Sequence, residues 1–86
     1  MKARSQMGRP KRELEGDPRV VHIKNVEYYV DWSRVTLGSS FFLPTVATAI
    51  QVRDILRPIE QHLGIKLTVR TRVEYGRYGV RVWRVG

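Results

Sequence analysis

The clearest pattern in the chain lies between residues 65 and 75, where mostly apolar and polar side chains alternate. The first series is Ile65, Leu67, Val69, Thr71, Val73 and Tyr75, and between its members lie Lys66, Thr68, Arg70, Arg72 and Glu74. A period of two is typical of a β-strand with one face against a core. The pattern therefore predicts a long strand with one apolar face.

A second strand is predicted directly after it, forming a C-terminal hairpin. Gly76-Arg77 has the Gly-X form of a two-residue type II′ turn. Pairing Tyr75 with Tyr78 across this turn predicts the partners Val73–Val80, Arg72–Arg81, Thr71–Val82, Arg70–Trp83 and Val69–Arg84. One face is then mostly aliphatic, and the other carries Lys66, Arg70, Arg72, Arg81 and Trp83. Because like charges directly opposite each other cost stability, Arg72 facing Arg81 is predicted to need an anionic partner.

A helix is predicted ahead of these strands. Its apolar set is Ile50, Val52, Ile55, Leu56, Ile59 and Leu63. From Val52 onward these positions follow the spacing of one helical face, which is expected to cover the aliphatic side of the sheet. Thr45 or Thr48 can cap the start, and Gly64 can end the helix. Pro58 is expected to kink or split it, because proline lacks an N–H group.

The preceding segment reads as short strands and turns. Arg19 to Ile23 is prone to form a strand, Lys24-Asn25 forms a turn, and Val26 to Trp32 is expected to be extended. Phe41 to Leu43 reads as a buried strand, with both phenylalanines assigned to the core and Trp32 to the core or its rim. The predicted fold class is α+β: a single helix packed on a small antiparallel sheet that ends in a C-terminal β-hairpin.

Residues 1–18 differ in composition from the remainder. Large apolar side chains are confined to Met1, Met7 and Leu14, and two glycines and two prolines interrupt the stretch. Such a segment buries too little surface to offset its ordering entropy, so a disordered basic tail is predicted. Residues 19–86 are predicted to form one small α+β domain, and a unit this small is expected to form a homodimer that extends its core.

The net charge indicates which classes of partner the protein is expected to bind. The 86 residues contain 16 Lys and Arg against 8 Asp and Glu, a formal net charge of +8. The excess lies in the N-terminal tail and in residues 65–86, and it favours polyanions such as nucleic acid, an acidic protein or an anionic membrane. Without a long apolar stretch, no signal peptide or membrane span is predicted, which favours a cytoplasmic protein that does not bind membranes.

Three segments resemble a group of small bacteriophage-encoded proteins of unknown function. They are Gly38-Ser39-Ser40-Phe41-Phe42-Leu43-Pro44, Gly64-Ile65-Lys66-Leu67 and Gly79-Val80-Arg81-Val82-Trp83-Arg84. Ser39 stands where that group usually has Asp. The resemblance implies a phage origin, and hence the host cytoplasm or nucleoid, but it implies no activity.

The tail contains a short motif whose residue types suggest how it would bind DNA. Gly8-Arg9-Pro10, followed by Lys11 and Arg12, resembles the core of an AT-hook. In such hooks an extended Gly-Arg-Pro stretch lies in the narrow minor groove of A·T-rich DNA, where arginine meets a strong negative potential. The alternative is a basic tail that only aids solubility.

The predicted binding site is the basic face of the hairpin. Its residues are Lys66, Arg70, Arg72, Arg77, Arg81 and Trp83. Arginine binds phosphate with a forked geometry, and an exposed Trp83 can stack on a base. Alternatively, Trp83 packs on Arg70 as a cross-strand pair. At the tip, Tyr75 and Tyr78 can enter a groove, stack on bases, or simply clamp the turn.

No enzyme motif is recognisable. Cysteine is absent, only two histidines occur, and no glycine loop, metal-ligand spacing or acid–base pair is present in the sequence, so no cofactor and no metal site are predicted. The prediction is a nucleic-acid-binding accessory or regulatory protein of phage type. The Gly-Arg-Pro arm slightly favours DNA over RNA. The alternative is a small phage interaction protein that binds and modulates an acidic host protein.

Overall fold

The computed structural model describes residues 16–86, which form five strands, one helix and a short 3₁₀ turn. The strands are β1 (Val20–Ile23), β2 (Val26–Tyr29), β3 (Ser40–Pro44), β4 (Leu67–Glu74) and β5 (Arg77–Arg84). The helix α1 spans Ala49–Leu63, and the 3₁₀ turn spans Trp32–Arg34. The predicted α+β class, with one helix and a C-terminal hairpin, is confirmed.

Strands β1 and β2 form a small hairpin that starts the fold. Its turn is Lys24-Asn25, as predicted, and both residues have positive φ angles of 51° and 66°. That geometry is the type I′ turn, which matches the twist of the paired strands. Val21 and Ile23 point into the core. The hairpin also binds the next sheet, since the Tyr28 hydroxyl donates to the Pro44 carbonyl.

The domain begins before β1. Asp17 and Pro18, which composition places in the tail, already bond to the domain. The Asp17 carbonyl accepts from Val20 N at 3.0 Å, and the Pro18 carbonyl accepts from Trp32 Nε1 at 2.8 Å. Trp32 is buried, as predicted, and packs edge-on against Phe41 at a centroid distance of 5.8 Å.

Strands β3, β5 and β4 form the main sheet, in that order and entirely antiparallel. β5 is therefore the central strand. The predicted register of the β4–β5 hairpin is wrong by two residues: Val73 pairs with Tyr78, Arg70 with Arg81, and Arg72 with Gly79.

The cause of this difference is the turn. The two turn residues are Tyr75 and Gly76, with φ angles of 55° and 72°, and not Gly76-Arg77. Two positive φ values define a type I′ turn, which follows the strand twist as well as the predicted type II′ turn would. The observed register places Glu74 opposite Arg77, and Val69 opposite the buried Val82. Apolar side chains thus face each other across the strands, and Glu74 lies within hydrogen-bond reach of Arg81, which favours this pairing.

Helix α1 begins and ends as its sequence signals indicate. The Thr48 hydroxyl accepts from Gln51 N at 3.1 Å, and the Gln51 side chain accepts from Thr48 N at 3.0 Å, which forms a capping box. Gly64, with φ of 70°, ends the helix. Pro58 does not split the helix, which is continuous from Ala49 to Leu63. Pro58 and Asp54 are both exposed, so water can bond the Asp54 carbonyl that proline leaves without its partner.

The buried face of the helix is narrower than predicted. Val52, Leu56 and Ile59 are buried, whereas Ile50, Ile55 and Leu63 are exposed. Helix α1 packs on β4 and β1, and it shares one core with Trp32, Leu43, Val80 and Val82. The helix and the β1–β2 hairpin therefore lie on the same side of the main sheet. Among residues 16–86, no helix is long and apolar enough to cross a membrane.

Candidate functional site

The side of the main sheet opposite the helix is the candidate site, and we call it the open face. Alternation along each strand places on it Phe42 of β3, Arg70, Arg72 and Glu74 of β4, and Arg77, Arg81 and Trp83 of β5. None of the described helices or strands covers this side. The open face therefore contacts solvent, apart from any contribution of residues 1–15.

The open face contains most of the predicted site. Arg70, Arg72, Arg81 and Trp83 all lie on it, and Arg77 lies at its tip end. They remain together despite the wrong register because a shift of two residues keeps every side chain on its original face. Lys66 lies just before β4 and is exposed, with its backbone bonded to Val85 and Gly86. The arm of Gly8, Arg9, Pro10, Lys11 and Arg12 lies outside the described residues.

Arg81 forms three side-chain hydrogen bonds on the open face. Its Nε and Nη2 donate to the two Glu74 carboxylate oxygens at 2.7 and 2.6 Å, and its Nη1 donates to Ser40 Oγ at 2.8 Å. The Arg81 hydrogen bond holds the pKa of Glu74 below its ordinary value, and the same bond raises the pKa of Arg81. Arg81 thus joins all three strands and is already neutralised.

This arrangement corrects the expectation that two opposed arginines need an anion. Arg72 does not face Arg81; it faces Gly79, while Arg70 is the residue opposite Arg81. The Arg81 guanidinium instead binds Glu74, which lies nearer the turn, opposite Arg77. The charge conflict inside the hairpin is resolved by the protein's own carboxylate.

Trp83 is covered by an arginine, but by a different one from that predicted. The guanidinium carbon of Arg72 lies 5.2 Å from the centre of the Trp83 ring, which is a cation–π contact. Arg70, the predicted partner, is exposed. Together with Thr68 and Arg70, these two residues line an open groove along the outer edge of β4.

Three arginines of the open face have no acidic partner in the described part of the chain. Within residues 16–86, no carboxylate oxygen lies within 4.0 Å of the side-chain nitrogens of Arg70, Arg72 or Arg77. Other described carboxylates are bound elsewhere, for example Asp54 by Arg57 and Glu60 by Leu67 N. The positive charge is therefore concentrated along β4 and the hairpin tip.

Phe42 is a site residue that the sequence pattern did not reveal. Both phenylalanines were predicted to be core, but only Phe41 points inward, where it contacts Trp32. Phe42 is half-buried on the open face, and its ring lies over Gly79: a Cβ added at Gly79 would be 2.7 Å from Phe42 Cζ. The position of Phe42 follows from alternation along β3: because Leu43 points into the core, its neighbour Phe42 must point to the opposite side of the sheet.

The hairpin tip is exposed on both sides. Tyr75 is 90% exposed and belongs to the turn, while Tyr78 is 50% exposed and lies opposite Val73. The two tyrosines therefore do not clamp the turn as a cross-strand pair. Arg84, which also lies on β5, belongs to the other side of the sheet, where its Nη1 donates to the Val35 carbonyl at 3.1 Å.

The described residues contain no candidate metal centre. Within residues 16–86, no group of three or more His, Asp or Glu side chains could hold a metal ion. The open face thus combines the rings of Trp83 and Phe42 with arginines that have, or lack, an acidic partner among residues 16–86, and it is suited to contact with a planar or anionic partner. Comparison of the chain with protein-family models, curated proteins and solved structures gives no significant match.

Proposed function

We propose that the protein binds nucleic acid through the open face of its main sheet. The observation that carries the proposal is the combination of three arginines without a described acidic partner, Arg70, Arg72 and Arg77, with the aromatic rings of Trp83 and Phe42. Phosphate groups supply the negative charge that the arginines lack, and bases supply planar surfaces that aromatic rings contact.

The proposed roles differ among these residues. Arg70 and Arg72 lie two residues apart on an edge strand, so they present their guanidinium groups along one line at the border of the face. They bind successive phosphates of a backbone that follows β4. Arg81 has a supporting role, because its guanidinium is held by Glu74 and Ser40 and stiffens the surface between the two aromatic rings.

The wider biological setting belongs to the same proposal. We propose an accessory or regulatory role without catalysis, and the resemblance to small phage proteins supports the host cytoplasm or nucleoid as its location. The AT-hook-like arm at Gly8 to Arg12 would add affinity for A·T-rich duplex and slightly favours DNA over RNA. The arm is a second, separable contact, whereas the open face is the main one.

A paired substitution tests the proposed role of the arginines. The variant Arg70→Gln/Arg72→Gln is expected to weaken binding of the full chain to labelled DNA and RNA. It should also reduce the slope of log affinity against log salt by about 1.4 on single strands, since each lost phosphate contact contributes about 0.7. Both side chains point away from the core, so the circular dichroism spectrum and melting temperature should stay close to those of the parent.

The matched control is Arg53→Gln/Arg57→Gln, which removes the same charge from the exposed side of helix α1. If the control loses as much affinity and as much salt slope as the open-face variant, binding depends on net charge alone. The proposal is also overturned if the unaltered protein binds neither DNA nor RNA at low salt.

A second candidate function is favoured by the exposed apolar tip. Val73 is 67% exposed and lies beside Tyr75 and Tyr78 at the end of β4, which is itself an edge strand. Exposed apolar side chains next to an unpaired strand edge are suited to a protein partner. An acidic protein would use Arg70 and Arg72 for charge and the tip for apolar contact. In that case Tyr75→Ser/Val73→Thr would abolish binding to this partner but leave nucleic-acid affinity unchanged.

A further inference from the structure

We infer that the open face selects single-stranded nucleic acid over duplex, with Trp83 and Phe42 as the surfaces on which bases stack. This inference rests on the proposed function and specifies its substrate class. Four features of the described residues carry it: the shape of the face, the placement of its aromatic rings, the position of its arginines and the charge of the helix.

The shape of the face suits a strand whose bases are accessible. The major groove of a duplex admits a helix or a two-stranded ribbon, but the open face belongs to a three-stranded sheet. Beyond the last β3 pair, Pro44 with Gly79, the β4–β5 ribbon continues for only two residue pairs, Val73–Tyr78 and Glu74–Arg77. The protruding part is therefore too short to place Arg70, Arg72 or Trp83 in a groove.

The two aromatic rings lie on neighbouring strands at diagonal positions. Phe42 pairs with Arg81, and Trp83 is two residues farther along β5. Diagonal neighbours on one sheet face are about 7–8 Å apart, within reach of aromatic side chains. Phe42 lies over Gly79, and Trp83 is overlaid by the planar Arg72 guanidinium. A base can therefore stack on the Phe42 ring and on the Arg72–Trp83 pair, and such contact with the face of a base requires a base that is not stacked inside a duplex.

Arg70 and Arg72 lie on β4, on one side of these rings, whereas Phe42 lies on the opposite edge strand, β3. A strand bound with its backbone along Arg70 and Arg72 would therefore direct its bases across the face toward Arg81, Trp83 and Phe42. This is the arrangement that single-strand-binding surfaces use: a basic track for the backbone and aromatic side chains for the bases.

The helix does not provide an alternative duplex reader. The exposed side of α1 carries Arg53 and Arg57, but Asp54 and Glu60 balance them, and Asp54 is ion-paired with Arg57 at 3.7 Å. A recognition helix needs an excess of positive charge toward the phosphates. Within residues 16–86, the open face is the more basic of these two surfaces.

The test measures binding of the full chain to three labelled probes: oligothymidine, a G·C-only DNA duplex of equal length, which lacks the A·T-rich sites proposed for the arm, and inorganic polyphosphate, which has negative charge but no bases. Trp83→Leu and Phe42→Leu are expected to weaken oligothymidine binding about 5- to 100-fold each, the range for loss of one stacked base. Binding to polyphosphate should remain within about twofold. Two separate aromatic variants keep the test informative if one of them fails to fold.

Tyr29→Leu is the matched control, because Tyr29 is 68% exposed, carries the Arg19 guanidinium 6.0 Å from its ring centre, and belongs to the β1–β2 hairpin rather than to the main sheet. It should bind all three probes like the parent. The inference is overturned if duplex binds as tightly as oligothymidine, or if the aromatic variants keep full affinity while Arg70→Gln/Arg72→Gln loses it. That second result would leave the proposed function intact, whereas no binding to any nucleic acid would remove both.

Discussion

At the residue scale, Gly79 determines how the open face is built. It leaves room for the Phe42 ring and for the backbone of β3, which lie where a side chain would begin. A Cβ at this position would lie 2.3 Å from the Leu43 carbonyl oxygen and 2.7 Å from Phe42 Cζ. The backbone φ of Gly79 is not in the left-handed region, so the requirement for glycine here is space alone.

Gly79→Ala is therefore expected to destabilise the protein by about 1–3 kcal/mol, the range for overpacking a filled site, because the nearest atom belongs to the backbone of β3 and cannot move aside. Urea unfolding followed by circular dichroism measures this. Gly86→Ala is the control, since its added Cβ would meet only the flexible Lys66 side chain, at 3.2 Å. Equal stability of the two variants would contradict the close packing at position 79.

The Glu74–Arg81 pair makes stability depend on pH in a defined direction. The pKa of Glu74 is lowered in the folded state, first by its hydrogen bond to Arg81, from an ordinary value of 4.5. A lowered pKa means that the ionised carboxylate stabilises the fold above pH 4.5, and that this contribution is lost as pH falls through the folded-state pKa.

Glu74→Gln should accordingly show a smaller loss of melting temperature than the parent when pH is lowered below 4.5, and should be less stable than the parent at pH 7. The control is Glu27→Gln, whose side chain is 70% exposed on the β1–β2 hairpin. An unchanged acid profile for Glu74→Gln would show that the ion pair does not form in solution.

At the element scale, the β4–β5 hairpin shows what the sequence can and cannot specify. Period-two alternation predicts both strands and assigns their faces, because the face depends only on whether a position is odd or even. It does not determine the register, since Gly76 fits either turn type and a two-residue shift preserves every face. The Glu74–Arg81 bond and the Arg72–Trp83 contact depend on the register, and neither could be predicted. Phe42 is wrongly predicted to be core because its apolar character favours burial, whereas alternation along β3 places it on the open face.

The orientation of helix α1 on the sheet can be tested by comparing a buried and an exposed residue. Its buried face contains Leu56, which is 1% exposed, whereas Ile50 is 68% exposed although the sequence assigned both to the core side. Leu56→Ala should destabilise the fold by about 2–5 kcal/mol, as expected for a large-to-small change in a core. Ile50→Ala should change stability by less than about 0.5 kcal/mol, as is usual at the surface. Similar losses in urea unfolding would mean that the helix is rotated relative to the sheet.

At the scale of the whole molecule, the fold separates a stabilising side from the proposed binding side. The helix and the β1–β2 hairpin cover one side of the main sheet and bury the core against it, while two aromatic rings and the arginines that lack an acidic partner among residues 16–86 lie on the other. Charge, composition and alternation predicted that separation. The proposed DNA contact of the N-terminal arm rests only on its Gly-Arg-Pro motif, because residues 1–15 lie outside the described structure.

The two tryptophans of the chain allow the central claim to be tested within one molecule. The Trp32 indole is buried and donates to the Pro18 carbonyl, whereas Trp83 lies on the open face. In a titration of the full chain with oligothymidine, followed by ¹H–¹⁵N correlation spectra, the Trp83 indole signal should shift in a saturable manner. The Trp32 signal should stay in place. Saturable binding that leaves Trp83 unshifted, or that moves Trp32 as much as Trp83, would contradict binding through the open face.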